Sequence, residues 1–272
     1  STLINISDDQ LLKDKQIIDG KWFGFSSMQG RRPSMEDFHQ HLTYLSSGTA
    51  HYASNNLHRH ILNEFHRMIE HKENQSENKK IHRKEFRNAI KKAFIKLDKQ
   101  LRKTDYDDSG AVCIACLISP KKIYLINIGD ARAIIISNSG EVLVSTHDHK
   151  PDDPNEEERI HEAGGQITQK SSKDVLRVER RLAMTRVLGD FSIDKNIVPP
   201  IPDIIIYSRK SSAAFIIIAS DGIRNVMSNE QFASFVFQRI SIIKLDQIAS
   251  QLLDHCLEKQ SRDNMSVYII KV

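Results

Sequence analysis

Four apolar runs crowd into residues 112–144, and their spacing restricts the fold more than any other stretch of the chain. Val112 to Ile118, Ile123 to Ile128, Arg132 to Ser137 and Glu141 to Val144 are rich in β-branched residues, with three or four residues between one run and the next. Ser119-Pro120-Lys121-Lys122 and Asn138-Ser139-Gly140 read as hairpin-type connectors. A parallel crossover needs a dozen or more residues, so strands this close are expected to pair antiparallel.

Helical periodicity flanks this block on the N-terminal side. Tyr52, Leu57, Ile61, Leu62, Phe65 and Ile69 fall on one predicted helix face, and Phe86, Ile90, Phe94, Leu97 and Leu101 on a second. The polar stretch His71 to Lys80 joins them, which predicts an antiparallel helix pair packed on the sheet. Trp22 to Met28 reads as an earlier strand. On the C-terminal side, Glu156 to Ala163 reads as a short helix stopped by Gly164-Gly165. Ile204 to Tyr207, Phe215 to Ala219 and Ser266 to Lys271 read as strands. Between the last two lie helices at Ser228 to Ile240, opened by a Ser228/Gln231 capping box, and at Leu245 to Leu257. The pattern predicts an α+β fold, two antiparallel β-sheets in a sandwich flanked by pairs of helices, four layers in the order α-β-β-α.

Composition matters mainly for what it excludes. Hydrophobic residues are 39% and charged residues 27% of 272, which is globular rather than disordered composition. The net charge of +4 is spread over the chain instead of gathered on a stripe, so a nucleic-acid partner is not expected. The densest basic stretch, Lys79 to Lys92, reads as a solvated helix face. No apolar run reaches membrane-spanning length and the first residues lack a signal-peptide pattern, so a soluble protein without a membrane partner is expected. Cys113, Cys116 and Cys256 are odd in number. Two sit inside an apolar run without a second pair, so they read as core thiols in an intracellular protein, cytoplasmic or nuclear.

Chemistry is expected where acidic residues meet apolar strand ends, because a carboxylate near a core is costly unless paired or bound to a cation. Glu36-Asp37, Asp130, Asp148, Asp221 and Asp263-Asn264 are such places. Carboxylates converging from separate strand ends hold hard, oxygen-preferring ions such as Mg²⁺ or Mn²⁺. Taken singly, each also reads as a cap or turn residue. Half of the 12 histidines fall on polar helix faces between His51 and His82. Zinc-protease, nucleophile-elbow, phosphate-loop and dinucleotide patterns are all missing from the sequence.

An ordered series of strings then carries a resemblance. Arg32-Pro33-Ser34-Met35-Glu36-Asp37, Asn127-Ile128-Gly129-Asp130-Ala131-Arg132 and Asp148-His149-Lys150-Pro151 come first. Glu158-Arg159-Ile160, Ala163-Gly164-Gly165 and Leu182 to Asp190 follow, then Ala219-Ser220-Asp221-Gly222 and Ser261-Arg262-Asp263-Asn264-Met265. The chain resembles the metal-dependent protein phosphatases of type 2C, in the family's order and over nearly its whole length, as one domain of residues 1–272. The resemblance implies hydrolysis of phosphoserine or phosphothreonine in phosphorylated protein substrates, with two Mg²⁺ or Mn²⁺ ions and room for a weaker third. It implies that Arg32 binds the substrate phosphate, that Glu36 ligates one ion, and that Asp221 and Asp263 ligate the other. Asp148, together with Asp221, matches the third-ion position, while Asp130 and Asp190 take structural roles. Nothing in the sequence calls for an obligate dimer, so a monomer is expected.

One family motif is absent. The family runs Asp-Gly-His-x-Gly before its first long helix, with an aspartate that bridges both ions. Here His41-Leu42-Thr43-Tyr44-Leu45 leads through Ser46-Ser47-Gly48 straight to Thr49-Ala50-His51-Tyr52-Ala53. Without a bridging carboxylate, two divalent ions about 4 Å apart lack the charge that offsets their repulsion. Two readings follow: a catalytically inactive pseudophosphatase that acts as a protein-binding scaffold, or an active phosphatase whose intact chain carries a segment that these 272 residues lack. Retention of Arg32, Glu36, Asp148, Asp221 and Asp263 favours the second.

Overall fold

The structure is a computed structural model that describes residues 15–21, 23–32, 34–35, 48–74, 81–105, 109–172, 174–209 and 212–272. Trp22, Glu36, Asp37, the strings from His41 to Ser47, and most of the polar joint before Lys80 lie outside the described residues.

Strands in chain order are β1 (Gln16–Gly20), β2 (Phe23–Met28), β3 (Gly110–Ala111), β4 (Cys113–Ile118), β5 (Lys122–Ile128), β6 (Arg132–Ser137) and β7 (Val142–Ser145). After them come β8 (Ile167–Thr168), β9 (Arg177–Val178), β10 (Leu188–Gly189), β11 (Asp203–Ser208), β12 (Ala213–Ala219) and β13 (Met265–Lys271). The helices are α1 (Gly48–Asn74), α2 (Arg83–Leu101), α3 (Pro154–Glu162), α4 (Asp221–Arg224), α5 (Asn229–Phe237) and α6 (Leu245–Glu258).

One sheet runs β1-β2-β13-β12-β6-β7 and the other β11-β5-β4, with every pair antiparallel. Side chains alternate across each strand. Leu125, Ile135 and Ile216 point into the space between the sheets, where Ile123, Ala133 and Ala213 join them. Their neighbours face outward and are buried there as well. Ile126, Ile128 and Ile204 pack under α1 and α2, whereas Ile134, Ile136, Ile217 and Ile269 pack under α5 and α6. Strands buried on both faces explain the near-continuous isoleucine runs Ile134-Ile135-Ile136 and Ile216-Ile217-Ile218. The result is the expected α-β-β-α sandwich.

Both helix pairs are antiparallel. Tyr52, early in α1, reaches Gln100, late in α2, at 3.3 Å, and the Phe65 ring stacks on Phe86 with centroids 5.0 Å apart. The Phe235 ring of α5 meets His255 of α6 at 5.3 Å, while Arg239, just beyond α5, bonds Gln251 at 3.3 Å. The Ser228/Gln231 capping box is present at the start of α5. At the end of α3, Gly165 N–H bonds the Ile160 carbonyl and Gly164 N–H that of His161, both at 2.9 Å, with Gly164 at φ +80°. That is a Schellman stop.

Three expectations are corrected. β5 and β6 do not pair: β5 lies between β4 and β11, and β6 between β12 and β7. The chain changes sheet at Gly129, whose φ is +91° and where an added Cβ would stand 2.1 Å from Val112 Cγ1. Only glycine turns this corner without strain. On α1, Leu62 and Ile69 are exposed, while Ala53, Leu57, Ile61 and Glu64 form the buried stripe at i, i+4 and i, i+3 spacing. Glu64 accepts from Arg67 at 2.8 Å and also from Lys96 of α2, which is why a carboxylate occupies that stripe. Strand β1, edge partner of β2, was not anticipated.

Candidate active site

The neighbouring ends of β12 and β13 place two of the expected residues together. Ala219 pairs with Val267, and the ladder extends past them through Ser220 N–H to the Ser266 carbonyl and Ser266 N–H to Ser220 Oγ, each 3.0 Å. Asp221 follows as the first residue of α4, with Ser220 as its N-cap. Asp263 lies in the turn before β13. The two segments touch directly, since Ser261 Oγ donates to the Gly222 carbonyl at 2.7 Å. A Cβ on Gly222 would stand 2.2 Å from the Asn264 carbonyl oxygen and 3.1 Å from Asp263 Cβ. Glycine after Asp221 is therefore what lets α4 start against Asp263.

The segment bearing Arg32 is brought to the same rim by one buried amide. Asn264 Nδ2 donates to the carbonyls of Gln29 at 2.8 Å and Ser34 at 2.9 Å, and Gln29 Nε2 donates to the Arg32 carbonyl at 2.8 Å. Arg32 Nη2 then donates to Asp263 Oδ2 at 2.7 Å. The guanidinium side chain is 48% exposed and the carboxylate 27%, so both face solvent and a ligand could reach them. Glu36 follows this clamped segment by two residues in sequence and lies outside the described residues.

Asp148 belongs to a second, more buried group. Arg132 Nε donates to its Oδ1 at 3.0 Å, and Arg132 Nη2 and Arg224 Nη1 stand 2.9 and 3.2 Å from its Oδ2. Arg224 also donates to the Asp130 carboxylate at 2.7 Å and to the Asp130 carbonyl at 2.6 Å. The two aspartates come from neighbouring loops strapped together at Gly129. Gly129 N–H donates to His149 Nδ1 at 3.0 Å, and His149 N–H to the Gly129 carbonyl at 2.9 Å. With Nδ1 accepting from Gly129, His149 turns its Nε2 toward Asp203, 3.3 Å from Oδ2. That contact, with the nearby Arg186 charge, holds the carboxyl of the exposed Asp203 well below the usual carboxylate range.

A third network, missed from the sequence, anchors α3. Glu156 accepts from Arg186 Nε at 3.0 Å, Arg159 at 2.9 Å and the Thr185 hydroxyl at 2.6 Å. Burial alone would raise its pKa, but the Arg186 fork, Thr185 and Arg159 outweigh burial and bring it down to about 2. Arg159, Thr185 and Arg186 fall inside recognised strings, but their shared partner Glu156 lies outside them.

As a donor set, Asp221 and Asp263 suit a hard cation: both are carboxylates, while the thiols lie elsewhere, in β4 and α6. Burial pushes those thiols up to about 12, as expected of core cysteines. Among the described residues, no three His, Cys, Asp or Glu side chains gather closely enough to hold an ion.

The family model described as Protein phosphatase 2C matches residues 22–265, nearly the whole sandwich. The chain belongs to the protein phosphatase 2C family. Among curated relatives of this phosphatase 2C chain, "Protein phosphatase 1B" of Bos taurus is 35% identical over 282 residues, covering 92% of the chain and 56% of the relative. "Protein phosphatase 1A" of Homo sapiens is 35% identical over 283 residues, covering 92% of the chain and 70% of the relative. The chain thus spans little more than half the length of the bovine relative. The solved "serine-threonine phosphatase 2C from Toxoplasma gondii" superposes with a TM-score of 0.70 at 17% identity, covering 94% of this chain and 98% of that one. That likeness confirms the phosphatase 2C fold. No helix among the described residues is long and apolar enough to cross a membrane.

Proposed function

We propose that the intact protein is a Mg²⁺- or Mn²⁺-dependent protein phosphatase that hydrolyses phosphoserine and phosphothreonine in protein substrates. The observation that carries this reading is the convergence of Arg32, Asp221 and Asp263 on one rim within a phosphatase 2C domain. Bound ions would supply Lewis-acid polarisation of the phosphoryl group and would lower the pKa of a water. Asp221 and Asp263, with Glu36, are the residues that would hold them.

The remaining chemistry belongs to the chain's own groups. Arg32 presents a planar fork of N–H donors that matches two phosphate oxygens. It is half-exposed and donates to the Asp263 carboxylate, so an arriving phosphate replaces that charge-assisted bond with another of the same kind. Asn264 fixes the backbone on either side of Arg32, so the fork meets the phosphate pre-oriented. A monomer acting on exposed phosphorylated segments is consistent with this open rim.

A second reading rests on one observation, the absence of Asp-Gly-His-x-Gly before α1. On that reading the domain binds phosphoproteins without turning them over. Release of phosphate from a phosphothreonine peptide by the full-length protein, with and without millimolar Mn²⁺, separates the two. Mn²⁺-dependent turnover supports the phosphatase, and peptide binding without turnover supports the scaffold.

A further inference from the structure

The Asp130–Asp148 corner is the strongest feature outside the rim, and its chemistry is unlike that of a cation site. Two carboxylates face each other there from loops that the Gly129–His149 bonds lock together. Their side chains are only 8% and 10% exposed, so each needs a partner. The partner they share is Arg224, itself 8% exposed, which places Nη2 on Asp130 and Nη1 on Asp148. Arg132 takes both oxygens of Asp148 and hands its remaining Nη1 to Asn229 Oδ1 at 3.1 Å. Lys150 Nζ stands a further 4.0 Å from Asp148 Oδ2.

The charge tally decides the matter. Two carboxylates meet three cationic side chains, so an arriving divalent ion finds a net positive neighbourhood and a carboxylate whose two oxygens already accept from guanidinium N–H groups. The residue types at Asp148 do not fit an ion. We propose that Arg224 is the resident cation of this corner, a positioning residue that binds Asp130 to Asp148 and takes the place a third divalent ion would need. Arg224 is three residues after Asp221 on α4, so the same guanidinium ties the helix that begins with Asp221 to the loops that flank β6 and β7 at the same end of the sheet. The ions are then confined to the Asp221–Asp263 rim. This inference builds on the metal-dependent reading given above, and its test keeps the two apart.

The test is Mn²⁺ titration of the protein by electron paramagnetic resonance, with thermal melts in chelator, for the wild type, Asp148→Asn and Arg224→Met. Asp148→Asn is expected to keep the wild-type number of Mn²⁺ ions, with affinities within about twofold, while its melting temperature falls because Arg132 and Arg224 lose their charged partner. Loss of one class of bound Mn²⁺ in Asp148→Asn overturns the proposal. Arg224→Met exposes Asp130 and Asp148 to each other, and its melting temperature is expected to fall in chelator and to recover in millimolar Mn²⁺. An Arg224→Met protein with the wild-type melting temperature and no response to Mn²⁺ overturns it too, including where Asp148→Asn fails to fold. A wild-type chain that binds no Mn²⁺ at all defeats the metal-dependent reading alone, and the Arg224→Met melts still decide the role of Arg224.

Discussion

Arg32 donates from Nη2 to Asp263 Oδ2 at 2.7 Å, so the residue expected to grip phosphate rests on a residue expected to hold an ion. Exposed pairs of this kind contribute no more than about 1 kcal/mol to stability. Substitution of Arg32 should therefore be silent in folding and visible in catalysis. For Arg32→Ala we expect kcat/KM on a phosphothreonine peptide to fall about 10- to 100-fold, the value of a charge-assisted bond to phosphate, with an unchanged melting temperature. A variant with wild-type kcat/KM removes Arg32 from the site.

Asp221 is expected to hold an ion rather than to stabilise the fold. Asp221→Asn keeps the size of the side chain and removes its charge. Its Mn²⁺ affinity should drop at least tenfold, together with phosphate release, while circular dichroism in chelator stays that of the wild type. Undiminished Mn²⁺ binding measured by calorimetry rules out this assignment.

Gly222 makes a steric prediction at the same place. A methyl group there meets the Asn264 carbonyl oxygen at 2.2 Å, a distance backbone atoms cannot yield to without moving. Gly222→Ala should force α4 away from the Asp263 turn, destabilising the fold by about 1–3 kcal/mol and weakening Mn²⁺ binding together with it. Urea melts combined with a Mn²⁺ titration check both effects, and an alanine variant equal to wild type in each shows that the contact is not structural.

How much of this was legible in the sequence varied with the range of the interaction. The long strands other than β1, and most helices, could be read, because apolar runs and periodicity are local, whereas the two-residue strands carry no such run. The Ser228/Gln231 box and the Gly164-Gly165 stop also came through, being local hydrogen-bond chemistry. The separation of β5 from β6 did not, because a three-residue link fits a hairpin as well as a corner, and only the contact with Val112 at Gly129 distinguishes them. Leu62 and Ile69 were misplaced for a related reason: the buried stripe on α1 includes Glu64, whose partner Lys96 lies 32 residues away. Within the site, Arg32, Asp221 and Asp263 were found through ordered motifs. Arg224 was not, although an arginine one helical turn after Asp221, beside an apolar strand, hints at a buried charge seeking partners.

Glu156 predicts how the fold responds to acid. Its folded pKa of about 2 lies below the ordinary glutamate value of 4.5, so its contribution is fully present above pH 4.5 and is lost as the pH falls toward 2. The full effect is on the order of 3 kcal/mol, for a side chain only 4% exposed. Glu156→Gln should lose that slope between pH 4.5 and 2, and be less stable at pH 7 because Arg186 and Arg159 lose a buried counter-charge. Urea denaturation across this range reads both, and parallel pH profiles for the two proteins contradict the account.

The most direct measurement is phosphate release from a phosphothreonine peptide by the full-length protein as Mn²⁺ is raised from zero to millimolar. The account predicts turnover that saturates with Mn²⁺, stops on addition of chelator, and is lost in Asp221→Asn. A folded protein that binds the peptide yet releases no phosphate at any Mn²⁺ concentration contradicts it.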